Sequence, residues 1–329
     1  MTNTNQSVCT ASQVNEIISE YVRCLEHNWP RVIAGNYNPR NIIIESSMIS
    51  NCDRELQIIN KVRMESLDFE AYQKTPIFLL GVEKYLVNFD HYFYWSFGAD
   101  ILKAIGTTQK DFYTDVIQRF YLLMDVIFSR TYNPWETPDT RRVREAQNAL
   151  SPRRFNHVGN HIIVAHLAYP LIDGLLKSHW QKCISDNENN PELSNRQFLS
   201  DDGVNVPLIQ LLGKKRISNI GHLLRAVEYF TKNTILKANL ELFREYFENA
   251  FSGMYEGRKG YDIISDQRNS LLHGGKPWDK LFAGLVNLAF VLVNANLNEV
   301  EFNKAKTQIL QRMSMNFPPF QDMSYYPPL

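Results

Sequence analysis

Cysteine is scarce in this sequence. The 4 cysteines among 329 residues have neither CxxC spacing nor the density of a disulfide scaffold: Cys9, Cys24, Cys52 and Cys183. Small secreted domains depend on closely spaced disulfides, and structural zinc sites depend on clustered thiolates. The sequence therefore argues against both classes of protein and favours a reducing compartment.

Net charge is lacking as well. Lysine plus arginine and aspartate plus glutamate both number 35, so the formal net charge is zero. Such a chain has no overall field that draws it to nucleic acid or to an anionic membrane, and any RNA contact must come from a local basic patch. Glycine-rich phosphate loops of the Walker and Rossmann types are also missing. Their absence excludes conventional nucleotide hydrolases and dehydrogenases, and no cofactor is expected.

Signals for secretion or for a membrane are weak. The polar segment Met1–Ser12 lacks the apolar core of a signal peptide. Residues Leu281–Leu297 carry no charged side chain and approach the length of a membrane span. They include three asparagines, however: Asn287, Asn294 and Asn296. We therefore predict that this stretch is a buried central helix of a cytoplasmic protein without membrane contact.

Helical periodicity dominates what is present, and runs of alternating strands are not found. The prediction is an all-α protein of two parts, because a chain of this length can bury two cores. After a disordered segment of residues 1–12, an N-terminal helical domain spans residues 13–150. An up-and-down helical bundle follows over residues 151–312, and a tail of prolines and aromatics over residues 313–329. The boundary lies after the proline-interrupted stretch Thr131–Thr140 and near the basic segment Arg141–Arg154.

Caps and apolar spacing place the helices of the bundle. Pro170 suits the first turn of a helix, and Ser218 suits the N-cap of another. A buried helix face is predicted by apolar residues that recur at intervals of three and four: Leu236, Leu240, Phe243, Phe247 and Phe251.

One short segment carries the chemistry: Asp266-Gln267-Arg268-Asn269-Ser270-Leu271-Leu272-His273-Gly274. Asn269 and His273 share a helix face because they are four residues apart, and Asn269 is placed to orient the imidazole. Arg268 lies one step round the helix, where a guanidinium can hold a phosphate by two hydrogen bonds. His273 falls in the last turn, where the negative end of the helix dipole favours a cation.

This segment resembles the motif of the HEPN superfamily, in which an arginine and a polar residue precede a histidine near the end of a helix. Arg268, Asn269 and His273 fill those places. The resemblance covers about Arg153–Gln311 and includes the apolar helix that follows the motif.

Spacing alone does not single out this pair, because two other arginines precede a histidine at a similar distance. These are Arg154 before His161 and Arg216 before His222. The segment that contains Arg268 and His273 differs from these two pairs in three ways. It has an asparagine beside the arginine, two leucines that we expect to anchor the turn, and the two glycines Gly274-Gly275, which are expected to end the helix.

The resemblance implies a metal-independent endoribonuclease of transfer or messenger RNA, with Arg268, Asn269 and His273 as catalytic residues. Proteins of this family often serve as toxins or as effectors of antiviral and abortive-infection defence. RNA supplies its own nucleophile, the 2′-hydroxyl, but one group must take that proton and another must protonate the leaving 5′-oxygen. Because each motif offers one histidine, we predict a homodimer through the bundle that brings two copies of the motif together.

One alternative is a non-catalytic helical module that binds a nucleotide or a protein partner through the same kind of dimer, since the family also has inactive members. Another is a purely structural dimerisation module. Many toxin members carry a tyrosine two residues after the histidine. This chain has Gly275 there, which disfavours regulation by nucleotide transfer onto such a tyrosine. For the N-terminal domain we expect a regulatory partner or ligand.

Five basic residues are candidates for contacts with the RNA backbone: Lys214, Lys215, Arg216, Arg258 and Lys259. His157 and His161 are four residues apart, but no glutamate lies between them and no third ligand is evident, so no metal site is predicted. The aromatic block His91–Trp95 is interpreted as core rather than as a surface that stacks bases.

Overall fold

The computed structural model describes residues 8–34, 62–83, 89–106, 114–128, 155–187, 197–199, 205–207, 219–251, 260–275 and 281–316. These residues are almost entirely helical, with one short antiparallel hairpin, which confirms the prediction of a helical protein. The chain divides into two compact units: Met1–Arg154 with Leu297–Leu329, and Phe155–Asn296. The second unit is therefore inserted between two chain segments of the first.

The described residues of the first unit form helices and one 3-10 turn: α1 (Ala11–Ala34), the turn Met64–Ser66, α2 (Phe69–Phe78), α3 (Leu80–Glu83), α4 (Phe89–Gly106), α5 (Thr114–Phe128) and α11 (Glu299–Asn316). Helix α1 packs against α2 and α3, while α4 packs against α2, α5 and α11. His91, Tyr94 and Trp95 of α4 are buried, so the interpretation of that aromatic block as core is confirmed for these three residues.

Helix α11 belongs to the first unit, although it follows the second unit along the chain. Phe302 stacks on Tyr72 of α2 with ring centroids 4.8 Å apart. Lys306 Nζ donates a hydrogen bond to the carbonyl oxygen of Leu67 at 2.6 Å. The predicted bundle extends to residue 312. The structure groups α11 with the N-terminal helices instead, because the fully buried Phe302 finds its apolar partners there.

The chain before α1 is tied to the rest of the first unit by backbone hydrogen bonds. Cys9 N–H donates to the carbonyl oxygen of Ser66, and Asp68 N–H donates to the carbonyl oxygen of Cys9, both at 3.0 Å. The expected disorder of residues 1–12 is therefore corrected for residues 8–12, whose backbone these bonds and the start of α1 hold in place.

Where the second unit is described, it shows one long helix, a hairpin and four further helices: α6 (Phe155–Asn187), β1 (Gln197–Leu199), β2 (Asn205–Pro207), α7 (Ile220–Phe230), α8 (Thr234–Phe251), α9 (Gly260–Leu272) and α10 (Leu281–Asn294). All 14 residues of α10 are buried, and α10 packs on α6 and α8. A helix that is apolar on every side belongs in a core. The prediction of a buried central helix is thus confirmed.

In the described part of the chain, no single helix is long and apolar enough to cross a membrane; α10 and residues 299–311 of α11 reach that length and apolarity as a pair.

Helix α8 turns one aromatic face towards α10. The five apolar residues predicted for this face are all buried, and the rings of Phe247 and Phe251 lie 4.6 Å apart. A side chain at Gly284 of α10 would place its Cβ 2.7 Å from Phe247 Cε2. The close approach of the two helices therefore requires glycine at this position.

Pro170 lies inside α6 and not in its first turn, so that prediction was wrong. An interior proline removes one backbone hydrogen bond and costs about 3 kcal/mol. The side chain of Pro170 is exposed, whereas apolar residues on both sides of it in the sequence are buried: Val164, Ala165, Ala168, Leu171, Ile172, Leu175 and Leu176. Burial of this continuous apolar face offsets the lost hydrogen bond, so the helix continues through Pro170.

Candidate functional site

The first turns of α9 are anchored to two neighbouring helices. Three hydrogen bonds make this connection: Gly260 N–H to Glu248 Oε1 at 2.9 Å, Tyr261 O–H to the carbonyl oxygen of Leu240 at 3.1 Å, and Tyr169 O–H to the carbonyl oxygen of Ile264 at 3.2 Å. Complete burial raises the pKa of Tyr261 well above its ordinary value, and the negative charge of Glu228 adds to the shift. This phenol therefore stays neutral and keeps donating to the backbone of α8.

Helix α7 holds the same part of α9 from another side. Arg225 forms an ion pair with Asp262, with 2.8 Å between the guanidinium nitrogen and the carboxylate oxygen. The Ser265 hydroxyl donates to Asn219 Oδ1 at 3.1 Å. Because three different helices contact residues 260–265, the start of α9 is fixed before the motif begins.

Helix α9 ends in a Schellman turn, in which two backbone amides after the helix bond back to carbonyl groups of its last turn. Gly274 N–H donates to the carbonyl oxygen of Leu271 at 3.1 Å, and Gly275 N–H donates to that of Ser270 at 2.7 Å. Gly274 has a φ of 80°, a left-handed conformation that favours glycine. The predicted glycine stop is confirmed, and it places His273 one residue past the last helical residue.

The three motif side chains lie at the solvent-facing end of this helix. Asn269 and His273 are exposed and Arg268 is partly buried. No hydrogen bond or ion pair joins these side chains to one another or to other described residues; His273 is linked to Asn269 through its backbone N–H, which donates to the carbonyl oxygen of Asn269 at 3.1 Å. The expected orienting contact between the Asn269 amide and the imidazole is therefore not formed within this chain.

The two leucines of the motif have different environments. Leu271 is only 5% exposed and anchors the end of α9, whereas Leu272 is 61% exposed. The expectation that both leucines anchor the turn is thus correct for Leu271 and wrong for Leu272. A helix turns by about 100° per residue, so Leu272 shares a row with Arg268, and His273 shares a row with Asn269.

The predicted RNA-backbone residues Lys214, Lys215, Arg216, Arg258 and Lys259 all lie outside the described residues, as do the side chains of His157 and His161. No group of three or more histidine, cysteine, aspartate or glutamate side chains that could hold a metal ion occurs where the structure is described. His222, which follows Arg216 at a spacing similar to that of the motif, has a described side chain and is half-buried on α7.

Sequence reasoning missed the contacts that hold the motif helix. The N-cap of α7 is Asn219, one residue after the expected Ser218. Asparagine and serine cap helices about equally well, so adjacent candidates cannot be ranked from sequence. The partner of Asn219 on α9 is Ser265, 46 residues further along the chain, and no local pattern reports such a contact.

No protein-family model, no curated protein and no solved structure matches this chain.

Proposed function

We propose that this chain is a metal-independent endoribonuclease with Arg268, Asn269 and His273 as its catalytic residues. One observation carries the proposal: these side chains have no hydrogen bond or ion pair within the described structure, although the start of the same helix is tied to three neighbouring helices. A cation, an amide and an imidazole at the end of a rigid element are free to contact a ligand, and rigid elements hold reactive groups more accurately than loops do.

The reaction needs only groups that the motif and RNA supply. The ribose 2′-oxygen attacks phosphorus while its proton passes to a neutral imidazole, and the bond to the 5′-oxygen breaks as an imidazolium returns a proton to it. Arg268 contacts the phosphate and stabilises the negative charge that develops on its oxygens. The products are a 2′,3′-cyclic phosphate and a free 5′-hydroxyl.

Two copies of the chain fit this chemistry better than one. Helical geometry directs Arg268 and His273 about 140° apart around α9, so one motif does not turn both side chains towards a single phosphate. A two-fold dimer brings the arginine of one copy near the histidine of the other and supplies one imidazole as base and one as acid. The exposed Leu272 beside His273 offers apolar surface for such a contact. The substrate, transfer or messenger RNA, and a role as a toxin or antiviral effector are proposed from the HEPN resemblance.

Cleavage of total cellular RNA in EDTA tests the proposal. We expect the purified protein to cut RNA and expect Arg268→Ala and His273→Ala to lower the rate by about 100-fold or more, the usual effect of losing a group that transfers a proton or stabilises charge. Matched controls are Arg119→Ala on α5 and His166→Ala on α6, which remove exposed side chains of the same types outside the motif. They should cleave at the wild-type rate.

Equal cleavage by all variants would assign the activity to a contaminant and contradict the proposal. Intact RNA throughout, together with thermal stabilisation by a nucleotide, would favour the non-catalytic binding module instead.

A further inference from the structure

A single side-chain oxygen joins the start of α7 to the middle of α9. Asn219 Oδ1 accepts hydrogen bonds from Gly221 N–H at 2.8 Å and from His222 N–H at 3.1 Å, both on α7. It also accepts one from Ser265 Oγ–H on α9 at 3.1 Å. Capping of α7 needs only the first two. The third bond is additional to capping and crosses between the helices.

The surface of α9 that meets α7 leads directly to the motif. A side chain at Gly221 would place its Cβ 2.8 Å from the carbonyl oxygen of Tyr261 and 3.4 Å from Ser265 Cβ. Residues four apart lie on one helix face, so Tyr261 and Ser265 continue into Asn269 and then His273. The contact with α7 therefore sets the register of the row that carries two of the three motif side chains.

We infer that Asn219 is a positioning residue, which fixes the place of Asn269 and His273 through Ser265. This inference rests on the proposed function, because its effect on activity is exerted at the same site. Ser265 is only 8% exposed, so its bond to Asn219 is made in the packed contact between the two helices. Loss of either partner removes this bond and favours a shift of α9 against α7. A displacement of about 1 Å at reacting groups can lower a rate by about 100-fold.

Asn233 provides a matched control in the same unit. It caps α8, where its Oδ1 accepts from Ile235 N–H at 3.1 Å and from Leu236 N–H at 3.0 Å. Its Nδ2 donates to the carbonyl oxygen of Ala295 at 3.0 Å. Asn233→Ala therefore removes a cap and one further bond, as Asn219→Ala does, but its bonds do not involve α9.

The experiment compares full-length wild type, Asn219→Ala, Asn219→Asp, Ser265→Ala and Asn233→Ala by RNA cleavage in EDTA and by thermal unfolding. Asn219→Ala and Ser265→Ala should lower kcat about 10-fold with KM nearly unchanged, because misplacement affects chemistry more than binding. Asn219→Asp should keep the wild-type kcat, because all three bonds need only an acceptor. Asn233→Ala should lower the unfolding temperature by about as much as Asn219→Ala and leave kcat unchanged.

The inference is overturned if Asn219→Ala and Asn233→Ala have the same kcat, or if Asn219→Asp loses as much activity as Asn219→Ala. Amide hydrogen exchange separates this failure from failure of the proposed function. If the wild type cuts no RNA, the proposed function fails, and the Gly275 amide then decides the positioning role. Faster exchange at Gly275 in Asn219→Ala but not in Asn233→Ala supports the role, and equal exchange in the two variants refutes it.

Discussion

Gly275 offers a sharp test of the geometry at the end of α9. A Cβ at this position would lie 2.1 Å from Ser270 Oγ and 2.8 Å from the carbonyl oxygen of Ser270. The hydroxyl can rotate away, but the carbonyl group is backbone and also accepts the Gly275 N–H at 2.7 Å. Gly275→Ala must therefore break or lengthen the bond that closes the turn. Loss of one hydrogen bond costs about 1 kcal/mol, and local overpacking adds about 1 kcal/mol or more.

We expect Gly275→Ala to lower the free energy of unfolding by about 2 kcal/mol. RNA cleavage should fall by more than the unfolded fraction explains, because the turn carries His273. Gly274 is the matched control, since a Cβ there would meet nothing within 4 Å. Because Gly274 has a φ of 80°, we expect Gly274→Ala to lower the free energy of unfolding by about 1–2 kcal/mol through backbone strain alone. Gly274→Asn should lower it less, because asparagine adopts left-handed conformations more readily than alanine. Urea unfolding followed by cleavage assays measures both effects. A Gly275→Ala protein as stable and as active as wild type would show that the Ser270 carbonyl group does not restrict this position.

Three further predictions concern the proposed dimer and two buried ionisable groups. An excess of His273→Ala protein should inhibit wild-type cleavage by forming mixed dimers, whereas an excess of His166→Ala should not; concentration series of the mixtures measure this. Burial lowers the pKa of His179 from 6.5, so its contribution to stability is present above that value and is lost as the pH falls through the depressed pKa. Urea unfolding should therefore show that the free energy of unfolding falls less between pH 7.5 and pH 5 for His179→Gln than for wild type. Burial raises the pKa of Glu65, and its Oε2 has no hydrogen-bond partner among the described residues. The contribution of Glu65 to stability is present at low pH and lost as the pH rises through the raised pKa. Glu65→Gln should thus raise the urea midpoint at pH 7 more than at pH 4.5.

Local patterns in the sequence predicted those features that depend on nearby residues. The apolar interval of α8, the uncharged run of α10 and the glycines after His273 each determine a helix face or a helix end within a few residues. These features were confirmed by burial and by the Schellman turn. The motif residues themselves were also placed near the end of a helix, where the structure has them.

Features that depend on distant residues were not predictable from sequence. Leu271 and Leu272 are chemically identical, and only the packing of α9 decides which one is buried. The assignment of α11 to the first unit depends on long-range contacts. One of these is the hydrogen bond from Lys306 to the carbonyl oxygen of Leu67, which lies 239 residues earlier in the chain. Proline favours the first turn of a helix, but Pro170 lies inside α6, where the burial of apolar residues on both sides of it outweighs this local preference.

The proposed reaction cuts RNA by its own 2′-hydroxyl, with protons exchanged at His273. The most direct measurement is incubation of the protein in EDTA with an RNA oligonucleotide that it cuts and with the same oligonucleotide carrying a single 2′-deoxy sugar at the cleaved position, followed by end-group analysis. We expect a 2′,3′-cyclic phosphate and a 5′-hydroxyl from the RNA, and no cleavage at the deoxy position. Cleavage at the deoxy position, or products with a 5′-phosphate, would contradict the proposed reaction.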